Sequence, residues 1–321
     1  MRILVTGGAG FIGSNLVESL LKREEVQLVR VLDNFATGRK ENIREFMDHP
    51  RFEFVEGDIR NFQTCLNACD GIDLISHQAA LGSVPRSIND PLTSNEVNVT
   101  GTLNIFTAAK EKGVKRVIYA ASSSTYGDHP GLPKIEDRIG QPLSPYAVTK
   151  YVNELYAKVY ANIYGMELIG LRYFNVFGPK QNPQGPYAAV IPLFVKAVLD
   201  NEPPVINGDG EHSRDFTFVG NAVHANEVAL FTNNPEAVNQ VYNIAFGEQT
   251  SLNQLFESIK EVAGSDLAPK YGPERKGDVK HSLADISKAR TMLGYDPAVS
   301  VKQGLKTTFE WYRTQHHFAY S

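Results

Sequence analysis

In Ser144-Pro145-Tyr146-Ala147-Val148-Thr149-Lys150 a phenol and an ammonium stand four residues apart. Proline suits the first turn of a helix, and the i, i+4 spacing then puts both side chains on one face. A phenol with a pKa of about 10 is a poor base at neutral pH, but an adjacent cation favours its phenolate. Such a pair can take the proton of an alcohol while hydride leaves the same carbon. Alone the pattern says little, because a packed tyrosine and a solvated lysine share this spacing on many helices. A run of hydroxyls adds to it: Ser122-Ser123-Ser124-Thr125-Tyr126-Gly127 directly follows the apolar stretch 116–121. At the carboxyl end of a parallel strand, hydroxyls face the crevice where ligands bind and can share the substrate oxygen that Tyr146 deprotonates. Elsewhere the same run would be a polar loop.

A hydride needs an acceptor, and the first residues of the chain suggest one. Arg2–Thr6 runs into Gly7-Gly8-Ala9-Gly10-Phe11-Ile12-Gly13, which holds G-x-G-x-x-G at Gly8, Gly10 and Gly13 and G-x-x-G-x-x-G from Gly7. Glycines let the backbone turn tightly against a pyrophosphate, and the helix that follows offers free N–H groups and the positive end of its dipole. Asp33 lies twenty residues after Gly13 at the end of the next apolar run, where a carboxylate can accept hydrogen bonds from a ribose diol. It would repel a 2′-phosphate, which favours NAD over NADP; Arg39 argues the other way. Asp58 ends a third run, where it either holds an adenine amino group or caps a turn.

These groups need a scaffold. Short β-branched runs at Arg2–Thr6, 29–32, Phe52–Glu56, 74–78 and 116–120 alternate with longer amphipathic ones, which predicts a doubly wound, parallel α/β sheet of Rossmann type. A helix over 97–112, ended by Gly113, and a strand over 167–172 complete the pattern. Beyond about Phe177 Pro, Asn and Gly become dense, predicting a smaller C-terminal α/β region. The expected division is a mainly dinucleotide-binding part, 1–176, and a substrate-binding part, 177–321, that exchange some strands and helices and share a cleft.

The bulk properties exclude several partners. Among 321 residues, 42% hydrophobic, 32 Lys and Arg stand against 36 Asp and Glu, a net charge of −4 that offers nucleic acid no positive field. No stretch reaches the ~18 apolar residues of a membrane span, and no basic segment with an apolar run opens the chain, so a cytoplasmic protein is expected. Cys65 and Cys69 have no further ligands near them and read as ordinary thiols, with no metal site expected.

The segment 6–13, the serine run ending in Tyr126-Gly127, Tyr146-x-x-x-Lys150 and Leu171-Arg172-Tyr173-Phe174-Asn175-Val176-Phe177-Gly178 together resemble the extended short-chain dehydrogenases/reductases that act on nucleotide sugars, over nearly the whole chain. Residues 82–87, 122–133 and 277–285 are similar, more narrowly, to bacterial UDP-N-acetylglucosamine 4-epimerases of the group that prefers N-acetylated sugars. The resemblance implies NAD as cofactor, a UDP-sugar as substrate, and a homodimer built through two long helices near 97–112 and 146–163. It implies Ser122 as the hydroxyl that works with Tyr146 and Lys150, while Ser123 and Ser124 also line the sugar site and their roles stay unseparated. Around NAD it places Gly7, Gly10, Phe11, Ile12, Gly13, Asp33, Asn34, Thr37, Gly38, Asp58, Ile59, Gln78, Ala79, Ala80, Tyr146, Lys150 and Tyr173. Ser83 and Asn175 would meet the sugar and diphosphate, and Ala189, Val190 and Asn207 the uridine. Arg214, Arg275 and Asp278 would complete the nucleotide clamp, arginine being suited to grip a diphosphate at two points.

The implied reaction removes hydride from sugar C4 to NAD while Tyr146 takes the O4 proton; the 4-keto sugar turns over, anchored by its UDP, and is reduced on the other face. Ser282 stands where related epimerases carry either a bulky tyrosine or a small residue, and a serine predicts room for a 2-acetamido group. A UDP-glucose or UDP-uronic acid 4-epimerase remains an alternative. A 4,6-dehydratase or decarboxylase is disfavoured, since family dehydratases place Asp-Glu where Ser123-Ser124 stand. A non-catalytic dinucleotide sensor need not retain Tyr146, Lys150 and the serines.

Overall fold

The computed structural model describes residues 1–184, 188–274 and 280–319, the last four by backbone alone. In chain order the strands are β1 (Arg2–Thr6), β2 (Leu28–Asp33), β3 (Phe52–Glu56), β4 (Leu74–His77), β5 (Arg116–Ser122), β6 (Glu167–Tyr173), β7 (Val176–Phe177), β8 (Val205–Asn207), β9 (Ser213–Arg214), β10 (Thr217–Phe218), β11 (Val241–Ile244), β12 (Thr250–Ser251) and β13 (Lys270–Gly272). The helices are α1 (Phe11–Leu21), α2 (Phe62–Cys69), α3 (Val84–Asn89), α4 (Pro91–Asn95), α5 (Thr102–Glu111), α6 (Pro145–Tyr164), α7 (Val190–Leu199), α8 (Val219–Phe231), α9 (Leu252–Ala263), α10 (Ser287–Leu293) and α11 (Val301–Ala319).

Seven strands form one parallel sheet in the order β11-β6-β5-β4-β1-β2-β3. Ile3, Leu4 and Val5 of β1 are all fully buried, because helices cover both faces and a continuous apolar run then replaces alternation. One face packs on α1, α8 and α10, the other on α2, α5 and α6. The strand order reverses between β1 and β4, and at their carboxyl ends opens the crevice where such sheets bind ligands. A separate core joins α7, α9 and α11 over the later short strands.

Two features go beyond the expected pattern. The helix expected over 97–112 begins earlier, as α4, and reaches α5 only through a π-helical stretch, Glu96–Gly101. The wider turn brings Asn98 inside, where it exchanges two hydrogen bonds with the backbone of Leu81 and donates to Thr149. β5 runs two residues past the expected 116–120, since Ala121 and Ser122 still pair with Arg172 and Tyr173. From beyond residue 177, β11 returns to pair with β6, and α8 packs against α1.

Candidate active site

β1 ends at Thr6, and the chain turns at Gly7, whose φ of +68° suits glycine; a Cβ there would stand 2.7 Å from the Ala79 nitrogen. α1 then begins with no side chain capping its N-terminus, so its first N–H groups are left for an anion. Gly7, Gly10, Phe11, Ile12 and Gly13 line a cavity of about 550 Å³, together with Asp33, Asn34, Thr37, Asp58, Ile59, Gln78, Ala79 and Ala80. Asp33 is held from behind, accepting from the N–H groups of Ala9 (2.9 Å) and Phe35 (2.8 Å). Burial nonetheless raises its pKa. The carboxylate keeps acceptor capacity for a ribose hydroxyl. Asp58 both lines the cavity and caps its turn, accepting from Arg60 and from Asn34 (2.9 Å); the Arg60 guanidinium holds its pKa down. Gly38 stands behind the wall, against Ala9.

The same cavity contains Ser83, Ser122, Tyr146, Lys150 and Tyr173. Ser144 caps α6 by accepting from Ala147 N–H at 3.1 Å, Pro145 fills its first turn, and Ser87 Oγ accepts from Tyr146 N–H at 3.0 Å. The start of the helix is thus fixed, and with it the height of the phenol. Burial pushes the Tyr146 pKa up, and a hydrogen bond with Ser122 pulls it down. Ser122 Oγ also accepts from Ser124 Oγ at 2.9 Å, which links the hydroxyls in a short chain. Lys150 is 4% exposed and donates from Nζ to the Ala120 carbonyl at 2.9 Å. With no carboxylate beside it among the described residues, burial pushes its pKa down to about 8. Beneath it His77 is held by Thr6 (2.6 Å) and Thr102 (2.9 Å), and burial takes its pKa down to about 3, so it adds no second charge. Tyr173 donates to Gln78 Oε1 (3.1 Å) and accepts from Asn226 (2.7 Å).

A second cavity, about 650 Å³, meets the first at Asn175, Val176 and Gln181. Ala189, Val190, Asn207 and Arg214 line it, as does His212. Asn175 donates to the Asp215 carbonyl at 3.1 Å, and the buried Asp215 carboxylate accepts from Phe246, Gly247 and Ala284 N–H groups, which fixes this corner. Ser282 lies off both walls and donates its N–H to the Ser213 carbonyl at 3.1 Å, next to Arg214. Ser123 and Ser124 also stand off the walls. Arg275 and Asp278 lie outside the described residues. Gln181 and His212 were not singled out in the sequence; the Pro-Asn-Gly-rich stretches that carry them have no period to read.

Cys65 and Cys69 are buried thiols whose pKa values burial pushes up to about 12, so they stay protonated. Among the described residues no cluster of three His, Cys, Asp or Glu could hold a metal, and no helix is long and apolar enough to cross a membrane.

A glycine cradle and uncapped helix at a strand-order reversal, opening onto a tyrosine, a lysine and a serine, define a dinucleotide-dependent enzyme of the extended short-chain dehydrogenase type. The chain belongs to the NAD dependent epimerase/dehydratase family, whose model matches residues 3–245. NAD is its cofactor, and the cradle, with room for no side chain, fits it. Among its relatives, a putative UDP-glucose 4-epimerase of Methanocaldococcus jannaschii is 39% identical over 98% of this chain and 99% of its own. The solved UDP-N-acetylglucosamine 4-epimerase of Methanobrevibacter ruminantium, in complex with UDP-N-acetylmuramic acid, is 40% identical over 98% of both chains, with a TM-score of 0.92. The UDP-glucose 4-epimerase of Thermus thermophilus, solved with NAD, is 36% identical over 98% of this chain and 99% of its own, with a TM-score of 0.87.

Proposed function

We propose that this protein interconverts UDP-N-acetylglucosamine and UDP-N-acetylgalactosamine by oxidising and re-reducing C4 of the sugar. The observation that carries this reading is that Ser122, Tyr146 and a buried Lys150 share the wall of one dinucleotide cavity, which meets a second one lined by Arg214 and Asn207. Bound NAD supplies the oxidant for an alcohol and the reductant for the resulting ketone. Tyr146 takes the O4 proton, stabilised as phenolate by the Lys150 ammonium, while Ser122 shares the same oxygen. Arg214 grips the diphosphate, leaving the 4-keto sugar free to turn before Tyr146 returns the proton.

UDP-glucose is the competing substrate, favoured by the names of the Methanocaldococcus and Thermus relatives. Incubation without added NAD, with UDP-GlcNAc, UDP-glucose and UDP-glucuronate separately, decides between them. We expect UDP-GalNAc from the first; no product from it, with UDP-galactose formed from the second, overturns the assignment. Ser282→Tyr is expected to abolish N-acetylhexosamine turnover while UDP-glucose turnover persists, and unchanged selectivity removes Ser282 from the specificity argument.

We also propose a homodimer. Val148, Leu155, Val159 and Ile163 form an exposed apolar stripe along α6, with Ile163 68% exposed, of the kind that a second copy covers. Light scattering is expected to give twice the chain mass for the wild type and the chain mass for Leu155→Glu/Val159→Glu; a monomeric wild type overturns the proposal. We propose further that the enzyme works in the cytoplasm, with NAD held mainly by residues 1–176 and the UDP-sugar mainly by 177–321.

A further inference from the structure

Within the motif 171–178, Arg172 belongs to neither cavity wall and yet is a buried charge, 3% exposed. Its guanidinium meets Glu154, also buried, at two points: Nε to Oε1 at 2.8 Å and Nη2 to Oε2 at 2.7 Å. Nη1 donates to the Glu136 carbonyl at 2.8 Å, and the guanidinium lies 4.8 Å from the centre of the Tyr126 ring. Tyr126 in turn donates to Asn243 Oδ1 on β11 at 2.6 Å. One side chain therefore touches α6, the turn that follows Ser122, and its own strand β6.

Where Glu154 sits on α6 gives the contact its meaning. Tyr146, Lys150 and Glu154 follow one another at intervals of four, on one helix face. Each meets the sheet beneath: Tyr146 lines the cavity with Ser122, Lys150 donates to the Ala120 carbonyl, and Glu154 accepts from Arg172. Arg172 pairs in register with Ala121, between Ala120 and Ser122, the two β5 residues that Lys150 and Tyr146 face. The three residues thus meet one short length of β5 and β6. A helix displaced by a single residue moves about 1.5 Å along its axis, more than a hydrogen bond tolerates. A misplacement of about 1 Å is enough to cost roughly 100-fold in rate. As a stability device the pair is poor, because desolvating both charges offsets most of their attraction, and a well-packed apolar pair serves as well. What an apolar pair lacks is the two-point fork, which fixes α6 in both height and rotation.

We propose that Arg172 and Glu154 are positioning residues that hold α6 in the setting where Tyr146 reaches Ser122 and Lys150 reaches the Ala120 carbonyl. The proposal rests on the catalytic reading of those three residues. Arg172→Lys keeps the charge and loses the fork, while Glu154→Gln keeps the shape and loses the charge. For each variant, measured as the NAD-loaded protein and per folded molecule, kcat on UDP-GlcNAc is expected to fall at least about 10-fold while KM stays within about threefold. Amide hydrogen exchange over 146–154 is expected to quicken about 10-fold or more, with β1 unchanged. Glu154→Asp, which keeps the charge, should recover part of the kcat lost in Glu154→Gln. A lowered melting temperature with kcat per folded molecule within about twofold of wild type overturns the proposal, as does a fall in kcat with no change in exchange. If Arg172→Lys does not fold, Glu154→Gln carries the same comparison. A wild type that turns over no UDP-sugar overturns the functional reading instead, and the exchange rates still decide whether the pair holds α6.

Discussion

Lys150→Met is expected to lower kcat by about three orders of magnitude and to leave the NAD-free protein at least as resistant to heat as the wild type. The two halves of this expectation have the same cause. Lys150 is buried, no carboxylate pairs with it among the described residues, and the bond it makes, to the Ala120 carbonyl, is with a neutral group. A cation held this way is costly to the fold, and its pKa, pushed down to about 8, records that cost. It is also what Tyr146 needs. The phenol is driven up by its own burial, and Ser122 can stabilise the phenolate only by a hydrogen bond. Removing the ammonium removes the positive charge that stands 6.0 Å from the centre of its ring. Methionine keeps much of the aliphatic stem, so the packing is not the variable.

The pH dependence separates charge from packing. The folded pKa lies below the ordinary lysine value of 10.5, so the folded state releases the Lys150 proton first. Below pH of about 8 both states carry the proton, and the wild type bears the whole penalty. Between about pH 8 and 10.5 the unfolded chain binds more protons than the folded one, so the stability contributed by this group rises with pH. The advantage of Lys150→Met in thermal melts should therefore be largest at neutral pH and close as the pH is raised through this window. A variant that melts below the wild type at pH 7 means that the bond to Ala120 outweighs the desolvation. Wild-type kcat in the variant means that Tyr146 is activated by some other group.

What the sequence made legible is what neighbouring residues decide among themselves. The glycines of 7–13 follow a strand and open a helix, and Tyr146 and Lys150 share a helical face; both facts need only local spacing. The central strands were legible because a buried parallel sheet leaves uninterrupted apolar runs. The hidden features depend on residues far apart in the chain. Ser122 is the last residue of its strand because Tyr173 pairs with it. Asn98 turns inward at the π-helical stretch, where Leu81 and Thr149, both distant in the chain, meet it. The return of β11 to β6, and of α8 to α1, joins segments with no shared pattern. Arg172 could be read only as part of a family motif, since a lone arginine in an apolar strand says nothing of the glutamate 18 residues before it. Gln181 and His212 sit in stretches where proline and glycine fix the path and the intervening side chains carry no period.

Gly13→Ala is expected to strip the purified protein of NAD, to less than about one-tenth of the wild-type content, and to destabilise it by about 3 kcal/mol or more. The ordinary effect of this substitution has the opposite sign. In a helix, alanine is better than glycine by roughly 0.5–1 kcal/mol, because glycine has more backbone freedom to lose. At Gly13 the added Cβ would stand 2.1 Å from the Gly7 carbonyl oxygen and 2.8 Å from both the Gly7 carbonyl carbon and Gly8 Cα. All three are backbone atoms, so no rotamer change can relieve the overlap. Nor can Gly7 retreat easily: its N–H donates to the Leu32 carbonyl at 2.8 Å, and its own carbonyl accepts from Gly10 N–H at 3.0 Å. To admit the methyl group, α1 must move away from the turn 7–10, which opens the cradle against which a pyrophosphate would lie. Absorbance of the bound cofactor in the purified protein, beside a thermal melt, measures both effects. A Gly13→Ala protein that holds NAD one-to-one and melts with the wild type would mean that the turn can open without loss, and the close approach of α1 to β1 would then have no part in holding the cofactor.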